Sequence, residues 1–253
     1  MKSAKYILHF LIFLGFCGFS RVSKATIEEK QANYSHFLAE TGLSLKFPPP
    51  PKKSAPQNTT GGGRRGSNCI QGNIPLIALM PQDRVIKTIA DNPKIYWYLP
   101  LTTAKIAEFT LFNNDGTSLY TKRLPLPSTK GWINLTIPQA IFSQVQGKVD
   151  WEFSLVCDPR NRYRDQSISG KLEKVSLDYE QKENLGNVSI ADDALLAAQT
   201  YANLSLWHET ILAMQYLKDS EPEIWQEEWQ EFLLSVGLPA EKLINAPFLG
   251  DLN

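Results

Sequence analysis

Two cysteines are the residues whose chemistry the sequence suggests first. Cys69 and Cys157 form an even pair once a segment carrying Cys17 is removed. In an exported chain such a pair is expected to form a disulfide. The bond would close a loop of roughly 88 residues, for which chain entropy gives about 4–5 kcal/mol of stabilisation as an upper guide. A metal site is not predicted, because neither a second cysteine pair nor a histidine pair stands nearby.

Arginines flank both cysteines and suggest an anion site. They are Arg64, Arg65, Arg160, Arg162 and Arg164. A bond between Cys69 and Cys157 would bring the two groups together, and guanidinium groups bind carboxylate, phosphate or sulfated sugars. Alternatively, Asp158 and Asp165 pair with the nearby arginines and only order the loop. Both interpretations stay open at this point.

Motifs for catalysis are weak. The run Gly61–Ser67 carries Gly66 where a phosphate loop needs lysine. His208 is predicted on the surface of a helix, and no motif ties it to a nucleophile. Asp150 and Glu152 would share one strand face about 6–7 Å apart, a spacing compatible with glycoside hydrolysis but common by chance. No cofactor is expected.

The N-terminus predicts export. Lys2 and Lys5 precede an apolar run from Tyr6 to Phe19, and Ser23-Lys24-Ala25 offers a cleavage site. Residues 1–25 are therefore interpreted as a signal peptide. An uncleaved anchor is the alternative, although about 14 apolar residues fall short of a bilayer span. The chain would then be periplasmic, in the cell envelope or extracellular.

The mature chain divides into three parts. Residues 26–66, rich in proline and glycine, predict a weakly ordered linker. Residues 67–180 contain short alternating runs with frequent turns, including Asn113–Gly116, and predict an antiparallel β-sandwich of seven to eight strands. On these strands Trp97, Trp132 and Trp151 would either fill the core or stack on sugars.

Residues 188–253 predict a helical tail. Two helices carry the spacing of one tetratricopeptide (TPR) repeat, and a third helix follows. The positions that match are Ala198, Tyr201, Thr210, Met214, Leu217 and Pro222. Ser205 is predicted to cap the second helix, and Ser220–Glu223 to form a capping box on the third. A partner could bind at Tyr201, Trp207 and His208.

Charge excludes some functions. Lys and Arg total 26, as do Asp and Glu. A chain with no net charge has no overall field to attract nucleic acid or an anionic membrane. Membrane contact is expected only through residues 1–25, if they stay attached.

Several longer segments of the sequence resemble those of one family. They are Gly61–Cys69, Leu76–Pro81, Tyr96–Pro100, Trp151–Arg162, Tyr201–Trp207 and Leu234–Leu238. Together they resemble the domain of unknown function 928 family, found mainly in oxygenic photosynthetic bacteria, over about residues 61–240. The resemblance implies an exported envelope protein and no particular activity. His208-Glu209 departs from the aromatic–acid pair usual there.

The sequence favours a non-enzymatic binding or scaffold protein. Its ligand would be an envelope glycan or another envelope protein. The alternative is a secreted hydrolase whose carboxylates form no visible motif. Two converging carboxylates in an open cleft would favour the hydrolase, and charges that only pair with each other would favour the binder.

Overall fold

The computed structural model describes residues 44–49, 69–145, 147–186 and 188–252, all within one compact unit, Ser44–Asn253. The predicted signal peptide (1–25) lies outside these residues, as do Arg64, Arg65 and most of the predicted linker. The described chain is mostly β, with a helical C-terminal part.

Nine strands occur in the described residues. In chain order they are β1 (Ile77–Leu79), β2 (Val85–Thr88), β3 (Lys94–Leu99), β4 (Ile106–Phe112), β5 (Ser118–Pro125), β6 (Gly131–Thr136), β7 (Lys148–Leu155), β8 (Gln166–Lys174) and β9 (Phe248–Asp251). One sheet has the order β1-β3-β6-β9, and the other has the order β2-β8-β7-β4-β5.

Six helices and one 3₁₀ turn complete the same part of the chain. The helices are α1 (Gln139–Phe142), α2 (Tyr179–Leu185), α3 (Ala194–Asn203), α4 (Trp207–Ser220), α5 (Pro222–Ser235) and α6 (Ala240–Leu243). The 3₁₀ turn is Arg162–Arg164.

The two sheets pack face to face through aromatic side chains. Trp97 of β3 stacks on Phe153 of β7 with ring centroids 4.3 Å apart. It also meets Trp151 and Phe109 edge-on, at 5.8 and 5.9 Å. Burial of such large rings supplies much of the hydrophobic stabilisation of a core. Two sheets packed in this way agree with the β-sandwich predicted from the sequence.

Helices α4 and α5 cover the other face of the four-stranded sheet. Trp132 of β6 lies against Trp229 of α5 with ring centroids 5.9 Å apart. The indole N–H of Trp207 in α4 donates to the Leu79 carbonyl at 3.1 Å. A sheet buried on both faces needs almost continuous apolar strands, which is why every residue of β3 after Lys94 is buried.

The outer face of the five-stranded sheet reaches solvent. Strand β4 alternates buried residues, such as Phe109 and Leu111, with more exposed ones, such as Glu108. This alternation places one row of side chains in the core and the other in water. The β4–β5 hairpin turns at Asn113–Gly116 as predicted, with Gly116 at φ 81°.

The antiparallel prediction is wrong at two edges. Strand β2 pairs in parallel with β8, and β9 pairs in parallel with β6. Both added strands have only four residues, so an alternating pattern cannot identify them. The return of β9 requires Gly131, because a Cβ there would lie 2.4 Å from the Pro247 carbonyl oxygen.

Two predicted helix caps are also wrong. Ser205 does not cap α4 but adopts a left-handed conformation with φ 58°, and Leu206 precedes the helix without a side-chain cap. Helix α5 begins after Glu221 with no capping bond, while the Ser220 hydroxyl donates back to Tyr216. Packing of the apolar helix faces, rather than capping, sets these boundaries.

A short part of the predicted linker is docked in the core. The strap, defined as Ser44–Pro49, buries Leu45 and Phe47. The Phe47 ring meets Trp207 edge-on at 4.7 Å. The Leu45 amide donates to a Glu228 carboxylate oxygen at 2.6 Å, and the Phe47 amide donates to Ser235 Oγ at 3.1 Å.

Replacing Glu228 with glutamine is expected to keep or raise stability at pH 7. An amide oxygen can still accept the Leu45 N–H, and no charge is then buried. Burial raises the pKa of Glu228 above its ordinary value of 4.5, so the unfolded chain ionises first. The wild-type free energy of unfolding should therefore fall as pH rises from about 4.5 through the folded pKa.

Urea unfolding between pH 4 and 8 tests this expectation. The Glu228→Gln chain should lack this decrease in the free energy of unfolding with rising pH. The exposed Glu241→Gln variant should behave as wild type. Equal pH slopes for Glu228→Gln and wild type would contradict the interpretation.

Candidate binding groove

The disulfide fixes one wall of a surface groove. Cys69 and Cys157 are bonded, with Cα atoms 5.3 Å apart. The Cys69 carbonyl accepts the Thr103 amide and the Thr102 hydroxyl, each at 2.9 Å. Two residues later, the Gln71 amide donates to the Leu101 carbonyl at 2.7 Å. This short pairing holds the segment after Cys69 beside the end of β3.

The Tyr98 groove lies between this segment, the end of β3 and the loop before β6. Its volume is about 450 Å³, within the range of small-ligand sites. The residues that line it are Gln71, Gly72, Asn73, Ile74, Tyr98, Pro100, Leu101, Ser128, Thr129 and Lys130. Two amides, two hydroxyls, one phenol and one ammonium thus surround a partly apolar surface.

The polar side chains of the groove have unused hydrogen-bonding capacity. Within the described ranges, the side chains of Gln71, Asn73, Ser128, Thr129 and Lys130 make neither a hydrogen bond nor an ion pair. Side-chain amides donate and accept at once, as sugar hydroxyls do. The groove can therefore offer several polar contacts to a ligand without breaking internal ones.

The floor of the groove is packed against the helices. Tyr98 is almost fully buried, and its ring meets Trp132 edge-on at 5.7 Å. Burial raises the pKa of the Tyr98 hydroxyl, which keeps it protonated and able to donate. Trp132 in turn packs on α5, so the helical layer supports the groove from below.

The arginine loop, defined as Asp158–Asp165, pairs two of its three arginines with acidic side chains. Arg162 pairs with Asp165 at 2.5 Å and with Glu108 at 3.3 Å, and Arg164 pairs with Asp158 at 3.7 Å. Asp165 also accepts the Cys157 amide at 3.0 Å. Arg162 and Arg164 thus have the acidic partners that the loop-ordering interpretation expects, and anion binding at this loop stays a prediction.

Arginine contacts also affect the pKa of Glu108, which lies on the solvent face of the five-stranded sheet. Although some desolvation opposes the shift, hydrogen bonds from Arg162 and Arg123 lower the pKa of Glu108. Arg160 is exposed, and among the described residues its side chain makes no ion pair.

The two carboxylates considered for hydrolysis lie on the exposed sheet face. Asp150 pairs with Lys171 at 2.5 Å, and Glu152 accepts the Ser154 hydroxyl at 3.0 Å. Among the described residues that line the groove, none is a carboxylate.

Trp97, Trp132 and Trp151 are fully buried, so the core interpretation is confirmed for all three. Trp207 is buried as well, whereas Tyr201 is only half-buried.

The surface position predicted for His208 is wrong. Its side chain is 5% exposed, and Nδ1 accepts the Lys94 amide at 3.1 Å. The neighbouring Glu209 carboxylate accepts the Thr88 hydroxyl and the amides of Ile89 and Ala90. Both residues fasten α4 to the loop between β2 and β3, which single-sequence patterns do not reveal. Partner binding at Tyr201, Trp207 and His208 stays a prediction, and of the three Tyr201 reaches solvent most.

Replacing His208 with asparagine is expected to remove part of the acid sensitivity of folding. Burial lowers the pKa of His208 below 6.5, so the unfolded chain takes up the proton first as pH falls. The wild-type free energy of unfolding should therefore drop as pH falls below about 6.5. Asparagine keeps an acceptor for Lys94 without titrating. Urea unfolding at pH 5, 6 and 8 measures the difference, and identical slopes for both chains would contradict it.

Two further searches of the described residues are negative. No cluster of three or more His, Cys, Asp or Glu side chains there could hold a metal ion. None of the helices in that part of the chain is long and apolar enough to cross a membrane.

A two-sheet protein with a helical layer and a disulfide-anchored groove is the class that these observations define. Comparison with known families matches residues 60–248 to the Domain of Unknown Function family DUF928, and the chain belongs to this family. No curated protein matches the chain.

Proposed function

We propose that this protein is an exported, non-enzymatic binding module that holds a glycan of the cell envelope in the Tyr98 groove. The carrying observation is the set of uncommitted polar side chains around a cavity of about 450 Å³. Amides and hydroxyls match the vicinal hydroxyls of a sugar, and the apolar part of the lining suits its C–H surface.

The groove supports a glycan better than a protein partner. Its volume suits a small ligand, whereas a stable protein interface buries roughly 800 Å² on each side. The polar groups that line it would fix the orientation of a small ligand, as in other concave sites.

The hydrolase alternative receives less support. A glycoside hydrolase needs two carboxyl groups that flank the scissile bond. Asp150 and Glu152 instead lie on an open sheet face and interact with Lys171 and Ser154. Contacts of this kind order the side chains on an exposed sheet surface.

Export is part of the proposal. A disulfide is typical of oxidising compartments and supports a location outside the cytoplasm. Together with the interpretation of residues 1–25 as a signal peptide, it favours the periplasm, the envelope or the extracellular space.

The anion site is kept as a narrower proposal. Arg162 and Arg164 are already paired with acidic residues, so Arg160 contributes the free guanidinium, and Arg64 and Arg65 lie outside the described residues. Alanine at Arg160 should then weaken binding to acidic glycans and spare neutral ones. Unchanged binding to an acidic glycan array would end this proposal.

We propose that the TPR-like helices of the tail support the sheets and do not form a groove that is open to a partner. Thr210, Met214 and Leu217 are buried, as that repeat spacing requires. Helix α4, however, contacts the sheets directly through Trp207 and Glu209.

A glycan array probed with the oxidised full chain tests the proposed function. Envelope polysaccharide fragments should be retained, and the double change Gln71→Ala and Asn73→Ala should weaken binding at least tenfold. Loss of two or more hydrogen bonds predicts an effect of this size.

The matched control changes two exposed amides outside the groove, Asn92→Ala and Gln139→Ala. It should bind as wild type does. Equal loss in both double variants, or no retained glycan at all, would reject the groove as the site.

A further inference from the structure

The charge of the Tyr98 groove is positive. Among the described residues that line the groove, Lys130 alone carries a charge, at the end of the loop before β6. In the part of the chain that the structure describes, Lys130 has no acidic partner, whereas Lys171 and Lys174 are each paired with an aspartate. The ammonium group of Lys130 is therefore available to a ligand.

The chain segments that form the groove lack acidic residues. Residues 69–82, 92–107 and 116–149 contain neither Asp nor Glu. Lys105 lies close to the same loop, because its carbonyl accepts the Leu126 amide at 2.9 Å. These segments thus contribute only positive charge to the groove, although the chain as a whole has no net charge.

The register of β6 fixes the position of Lys130. Gly131 pairs with Leu99, the last residue of β3, so Lys130 lies just beyond the ends of both strands. On the other wall, the Gln71 amide is bonded to the Leu101 carbonyl at 2.7 Å. A ligand in the groove therefore meets an ammonium group from the β6 loop and side-chain amides from the other wall.

We propose that the glycan held in the Tyr98 groove is acidic, and that Lys130 binds its carboxylate or sulfate group. This inference rests on the proposed function, because it names the class of glycan for the same groove. An ammonium group donates several hydrogen bonds, and bonds to an anionic acceptor are about twice as strong as neutral ones. The amides of Gln71 and Asn73 bind sugar hydroxyls, and Lys130 binds the acidic group.

The groove site is distinct from the arginine loop. None of the described residues that line the groove belongs to that loop. Substitutions at Lys130 and at Arg160 therefore report on two different places. A short acidic glycan that is bound in the groove should depend on Lys130.

Matched acidic and neutral glycans test this inference with the oxidised full chain. The probes are oligogalacturonate and its carboxyl-reduced form, and a sulfated galactan oligosaccharide and its desulfated form, with dissociation constants measured by calorimetry. The wild type should bind the acidic member of at least one pair about fivefold more tightly, as expected for one solvent-accessible ion pair. Raising NaCl to about 1 M should remove this preference, because salt screens the charge.

Three variants complete the test. Lys130→Gln should bind both members of that pair equally, and the exposed control Lys242→Gln should keep the preference. The double change Gln71→Ala and Asn73→Ala should weaken every probe that binds, whether acidic or neutral.

Two kinds of failure are distinguishable. Equal binding of acidic and neutral members by the wild type, or a preference that persists in Lys130→Gln, would overturn this inference and leave the groove as the glycan site. Binding that the Gln71 and Asn73 changes do not weaken, or no binding of any probe, would reject the groove itself and this inference with it.

Discussion

Replacing Cys69 and Cys157 with serine is expected to lower the free energy of unfolding by about 3–5 kcal/mol. The bond closes a loop with a sequence separation of 88 residues. Removing the bond gives the unfolded chain back the conformational entropy that the closed loop had lost. For long loops, chain-entropy estimates of this loss are about 3–5 kcal/mol. Urea unfolding of the oxidised chain against the double variant measures the difference.

The same change should also disturb the Tyr98 groove. Without the bond, the segment that begins at Cys69 loses its covalent anchor and retains its hydrogen bonds to Leu101, Thr102 and Thr103. Reductant should lower the free energy of unfolding of the wild type and leave that of the double variant unchanged. A wild type whose unfolding midpoint does not respond to reductant would contradict the stabilising role of the bond.

Replacing Trp97 with alanine is expected to cost about 3–5 kcal/mol, as for other large-to-small changes in a packed core. The ring is fully buried and contacts Phe153, Trp151 and Phe109 across the two sheets. Its loss would leave a cavity at the centre of the sandwich. Thermal or urea unfolding of both chains gives the value.

Two further variants separate packing from hydrogen bonding. The Trp97 indole N–H is buried without a partner among the described residues, so Trp97→Phe should cost less than alanine. Tyr163 is 83% exposed, and Tyr163→Ala should change stability by no more than about 0.5 kcal/mol. Equal losses at Trp97 and Tyr163 would contradict the assignment of Trp97 to the core.

The sequence predicts the longer strands well and the short ones poorly. Runs such as Lys94–Leu99 and the turn at Asn113–Gly116 carry enough residues for their pattern to be read. Strands β2 and β9 are too short for this, and their parallel pairing depends on contacts with β8 and β6. The fold between these edges follows from local pattern, and the edges follow from tertiary packing.

The candidate site was less accessible to sequence reasoning. The pairing of Cys69 with Cys157 follows from residue type and the predicted compartment. For Trp132, burial in the core is one of the two alternatives that the sequence allows. The groove beside them depends on Gln71 and Lys130, polar loop residues whose proximity only the folded chain reveals. The docked strap was hidden similarly, because prolines after Phe47 favour a linker interpretation.

Hydrogen exchange with and without the best-retained glycan tests the central claim most directly. If the Tyr98 groove holds the glycan, protection should increase at residues 71–74, 98–101 and 128–130 and stay unchanged in α5. Protection confined to the arginine loop, to the outer sheet or to the helices would contradict the claim and place the ligand elsewhere.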